Sequence, residues 1–72
     1  MKAGSKYHPL FLHLQQAAGE PVTLTFAQIE ALLGTSLPGS ARRLEGWWSN
    51  RSRGAVQAAA WMGAGYRVVA VD

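Results

Sequence analysis

Seventy-two residues allow one domain, spanning residues 1–72, with one modest hydrophobic core. The apolar share of 49% against 15% charged residues excludes a disordered chain, and the lack of cysteine excludes disulfides and thiolate metal sites. The net charge of +3 is small, but Arg42, Arg43, Arg51 and Arg53 lie close together, opposed only by Glu45. So focal a basic patch points to a polyanionic partner. With no disulfide available, stability must come from packing, and three Trp, two Tyr and two Phe are the means. The longest uncharged apolar stretch is too short and too rich in Ala and Gly to span a bilayer, and the N-terminal lysines precede no secretory h-region. The expected compartment is therefore the cytoplasm, with no membrane partner.

In chain order, the first predicted element is a helix over Pro9–Ala18. Pro9 suits a first-turn position, Leu10, Phe11 and Leu14 recur at helical spacing, and Gly19 stops it. Val22–Phe26 alternates apolar and polar residues and is rich in β-branched types, which predicts a strand. Thr25 then reads as a helix N-cap, with Gln28 completing a capping box. The helix so opened places Phe26, Ile29, Leu32 and Leu33 on one face and ends at Gly34.

After the turn Thr35-Ser36-Leu37-Pro38-Gly39, a third helix is predicted from Pro38 or Ser40 to about Trp48. It points Ala41, Leu44 and one of Trp47 and Trp48 inward. A fourth, about Arg53 to Met62, turns Val56, Ala59, Ala60 and Trp61 inward, and Tyr66–Val71 has strand chemistry. The two strands, far apart in sequence, are expected to pair. The expected fold class is α+β: about four helices with a two-stranded sheet, resembling a small helix-turn-helix (winged-helix-like) domain.

In that layout the helix after the turn enters the major groove. Ser40, Arg42 and Arg43 lie near its start, and Trp47, Ser49, Asn50, Arg51 and Arg53 follow it. Arg matches guanine and Asn matches adenine, while Ser and Arg hold phosphate. Two adjacent tryptophans on a helix point about a hundred degrees apart, so one is expected in the core and the other at the rim, where it can stack on a base. Asn50 or Ser52 is alternatively a helix cap. These eight residues form the expected nucleic-acid face: duplex DNA first, with RNA left open.

Chemistry of its own is not expected. His8 and His13 are five residues apart and have no evident third ligand. Glu20, Glu30, Glu45 and Asp72 are the only carboxylates, and they are scattered. No Ser-His-acid pattern or phosphate-cradling glycine loop occurs. The expectation is a binding module with no cofactor, no metal, no small-molecule substrate and no catalysis. The alternative to DNA is a protein-interaction module, such as an inhibitor or adaptor of a phage or host protein. Trp and Arg are common interface anchors, and the final strand offers an edge. A surface this small reaches useful affinity more easily as a homodimer or when fused to another domain.

One further pattern stands out: Leu37-Pro38-x-Ser40-Ala41-Arg42, Trp47-Trp48-Ser49-Asn50, Gln57-Ala58-x-Ala60-Trp61 and Ala64-Gly65-Tyr66. The set resembles a small bacterial and phage domain found alone or beside nuclease-type domains. The resemblance implies the element order above and an association with mobile elements, and assigns no activity.

Overall fold

The computed structural model describes residues 4–51 and 56–71. It contains four α-helices, α1 (His8–Gln16), α2 (Phe26–Leu33), α3 (Gly39–Arg43) and α4 (Val56–Met62), with a single 3-10 turn (Glu45–Trp48) between the last two. Among the described residues there is no strand, so the domain is all-helical where α+β was expected.

α1 presents Leu10 and Leu14, one helical turn apart, to the core. It packs against both α2 and α4. Where α4 ends, a Cβ at Gly63 would stand 3.4 Å from the Phe11 ring and 2.7 Å from the Ala59 carbonyl oxygen. The Ala59 carbonyl is what demands glycine there, since contact with the Phe11 ring at that distance is ordinary. α2 starts as its sequence dictates: the Gln28 N–H donates to Thr25 Oγ1 at 3.0 Å, and the Thr25 N–H donates to Gln28 Oε1 at 2.7 Å. Gly34 ends it at φ 72°, a left-handed backbone that costs glycine little.

The third helix is shorter than expected. Leu44 leaves the helical region (φ −119°, ψ 113°), and the chain re-coils as the 3-10 turn holding Trp47 and Trp48. The break re-aims the turn that follows, so that the Trp48 ring lies between Phe26 and Trp61 and its Nε1–H reaches the Ala41 carbonyl. Trp48 is buried and Trp47 half-buried, with ring centroids 4.6 Å apart at 70°. Leu44, expected inward, is instead exposed. In α4 the inward residues are Ala58, Ala60 and Trp61, while Val56 and Ala59 face out. The beginning expected for that helix, at Arg53, lies outside the described residues.

The two expected strands do not pair. Val22–Phe26 keeps its alternation, with Val22, Leu24 and Phe26 on the core and Thr23 and Thr25 exposed; in Tyr66–Val71 it holds from Tyr66 to Val69 and then breaks, Ala70 being exposed and Val71 packed. No main-chain hydrogen bond joins the segments. The Tyr66 hydroxyl instead donates to the Glu20 carbonyl, two residues before the first segment begins. Period-two patterning fixes which side chains go in, but pairing also needs the two backbones side by side, and here an open groove separates them.

Trp48 is the centre of the core. Its ring stacks on Phe26 at 5.6 Å and on Trp61 at 5.7 Å, and its Nε1–H donates to the Ala41 carbonyl at 2.8 Å. Trp48→Ala is expected to cost roughly 3–5 kcal/mol, most of the stability of a domain this size. Thermal melting checks this: a variant retaining the wild-type midpoint would remove Trp48 from the centre of the core.

Candidate functional site

The residues expected to touch nucleic acid divide into those whose side chains are tied to distant parts of the fold and the rest. Asn50, although exposed, belongs to the first group. Its Oδ1 accepts from Trp61 Nε1–H at 2.9 Å and from the Val68 N–H at 2.8 Å, and its Nδ2 donates to the Val68 carbonyl at 2.9 Å. The amide thereby joins the end of the tryptophan turn, α4 and the C-terminal segment. Trp47 is likewise committed: its ring meets Tyr7 edge-on at 6.1 Å and lies 6.5 Å from Trp61, and its carbonyl accepts from Gln57 Nε2 at 3.0 Å.

Arg42 is half-exposed but not idle. Its guanidinium pairs with Glu30 Oε1 at 2.9 Å and lies over the Phe26 ring, 5.3 Å from the centroid. Glu30 Oε2 also accepts from the Leu37 N–H at 2.7 Å. One carboxylate thus spans from α2 to the turn before α3 and to α3 itself. The Leu37 N–H and then Arg42 hold the Glu30 carboxyl below its ordinary range.

The second group consists of Arg43 and Arg51, both exposed, with Ser40 and Ser49 half-buried nearby in sequence. Arg43 folds back so that its Nε–H donates to the Gly39 carbonyl at 3.3 Å. Arg53 and Ser52 lie outside the described residues. The helix expected to enter the major groove is the five-residue α3, shorter than the helix expected to about Trp48.

What sequence reasoning missed is the space between the two alternating segments. A groove of about 490 Å³ is floored by Leu10, Leu14, Ile29, Trp48 and Trp61 and banked by Val22–Phe26 and Tyr66–Val71. Among the described residues its lining contains no acidic residue, and Arg67 stands on its bank. A smaller recess shares Phe26, Trp48 and Val71 with it and reaches Arg42, Arg43 and Glu45. The available signal was the two period-two segments themselves, which expose apolar side chains when left unpaired. Among the described residues no group of three or more His, Asp or Glu is placed to hold a metal ion. No described helix is long and apolar enough to cross a membrane.

Every stretch of the pattern singled out above has a packing or bonding role in this geometry. A model of the family described as "Domain of unknown function (DUF7662)" matches residues 7–72. The chain belongs to that family. The matched region includes all four helices and both banks of the groove. No curated protein and no solved structure matches the chain.

The Glu30 linkage predicts a pH dependence. With its carboxyl lowered in the folded state, the unfolded chain binds the proton more readily, so stability rises with pH through this window. The Glu30 contribution is complete above the unfolded value near 4.5 and is lost as pH falls through the lowered folded one. Melting followed from pH 6 down to pH 3 (about three units) should fall more steeply for the wild type than for Glu30→Gln. Parallel curves would show that the Leu37 and Arg42 contacts stabilise nothing.

Proposed function

We propose that the protein is a binding module without chemistry of its own, and that the groove between Val22–Phe26 and Tyr66–Val71 is where it takes a protein partner. The observation that carries this reading is the groove itself: about 490 Å³, apolar in lining, open, and placed over the tryptophan cluster of so small a domain. Specific ligand sites are of this kind, concave and mostly apolar with a few polar groups at the margin. Val69, 83% exposed on one bank, adds apolar surface that the fold does not use.

The residues first expected to read DNA support the partner reading indirectly. Asn50, Trp47 and Arg42 already have intramolecular partners, so base contacts would have to displace stabilising bonds. A second reading, attachment to nucleic-acid phosphates, keeps one observation in its favour. Arg43 and Arg51 are exposed and make no ion pair among the described residues. Such contacts would hold any sequence alike. The finer expectation of a winged-helix-like DNA reader rests on that basic surface alone.

Selection of displayed random peptides against the wild type and against Val69→Lys tests the choice. A surface change at Val69 alters stability little, within about 0.5 kcal/mol. Enrichment of peptides that bind the wild type and not the variant is expected. If none is enriched, and random duplex DNA binds with a log–log salt slope of about −0.9 per phosphate contacted, with Arg43→Ala and Arg51→Ala each reducing that slope, the phosphate reading replaces this one.

A further inference from the structure

One bank of the groove carries an unused main-chain edge. Asn50 bonds both the N–H and the C=O of Val68, which requires those two groups to point the same way, as they do in an extended strand. In such a backbone the neighbouring residues point their N–H and C=O to the opposite edge. Asn50 is not among the residues lining the groove, whereas Arg67, Val68 and Val69 are. The edge bearing the Arg67 and Val69 groups is therefore the one turned to the groove. Neither residue has a main-chain or side-chain hydrogen-bond partner for its backbone among the described residues. Across the groove the backbones of Val22, Thr23 and Leu24 are likewise unpartnered.

Resting on the reading of the groove as the working surface, we propose that its occupant is an extended segment of a partner polypeptide, paired by main-chain hydrogen bonds to Arg67 and Val69. Its alternate side chains are apolar and enter the groove over Leu24, Trp48 and Trp61, and an acidic side chain meets Arg67. Strand addition of this type draws affinity from the backbone and specificity from every second side chain. Charge complementarity sets the acidic end. Among the described residues the lining offers Arg67 and no carboxylate, and the adjoining recess adds Arg43 beside Glu45, its Arg42 being already paired with Glu30. The existing Asn50 pairing makes the inference physically economical, because Val68 is already held in strand geometry before a partner arrives.

The test uses the whole chain and a defined probe, an acetylated and amidated peptide of alternating valine and threonine with glutamate at one end. Amide exchange is read residue by residue by NMR, with and without the peptide. Saturating peptide should slow the Arg67 and Val69 amides by about tenfold or more. The same peptide with alternate backbone nitrogens methylated should not, and a lysine-ended version should bind more weakly. Peptide-induced shifts at Leu24 and Trp61 with Arg67 and Val69 unprotected would overturn the pairing while leaving the groove as a binding site. Absence of any shift, with the displayed peptides also failing, would overturn both. Protection of Arg67 and Val69 without peptide would overturn the partner too. In that case an increase with protein concentration would indicate a second copy, and constant protection this chain's own backbone.

Discussion

The side-chain amide of Asn50 touches three parts of the chain that nothing else brings to one point. It takes the Trp61 indole N–H and both backbone groups of Val68, while the residue itself sits at the end of the turn that delivers Trp47 and Trp48. A buried indole N–H left without an acceptor carries a desolvation penalty, so the amide fixes where the Trp61 ring can settle. Trp61 in turn supplies one face of the Trp48 stack, and Phe26 supplies the other. The core, the exit from α4 and the backbone geometry at Val68 are thus coupled through one polar side chain on a largely apolar cluster. A small domain without disulfides has few other ways to define a single arrangement of three indoles.

A second polar device does comparable work at the opposite end of the aromatic stack. Glu30 joins α2 to the Leu37 N–H and to Arg42, whose guanidinium covers Phe26. Asn50 and Glu30 together account for much of what makes the chain's recurrent residues look like a recognition motif. Asn and Arg serve base reading because they offer paired donors and acceptors in a plane, and the same geometry suits the closing of a fold. Residue type alone does not separate the two uses. Hydrogen-bond and ion-pair partners do.

The sequence was most legible where local chemistry decides structure. The Thr25–Gln28 capping box, the Gly34 stop and the burial of Leu10, Leu14, Ile29 and Ala41 all follow from short-range rules. It was least legible where tertiary demand overrides them. Helical spacing carried the third helix through Leu44 to Trp48, but the chain leaves the helix at Leu44 and re-coils as the turn that seats Trp48 in the core. In α4 the expected phase was off because Ala58, fully buried, is as good a helix face as Val56, and composition does not rank them. Val22–Phe26 and Tyr66–Val71 announced strands and received the alternation without the pairing, the second only as far as Val69. Their patterning signals the banks of the groove, and nothing local in either segment says that the two stay apart.

The central claim is that the Trp-Trp-Ser-Asn stretch is an element of folding, with binding left to the surfaces around it. A double-mutant cycle between Asn50→Ala and Trp61→Phe tests it most directly, since phenylalanine keeps an aromatic ring and removes the indole N–H. If the bond is as structural as the geometry makes it, the two losses in unfolding free energy should be coupled by about 1 kcal/mol or more. Additivity within about 0.3 kcal/mol, together with an Asn50→Ala variant that melts like the wild type but no longer binds duplex DNA, would contradict the account and return Asn50 to the role of a base reader.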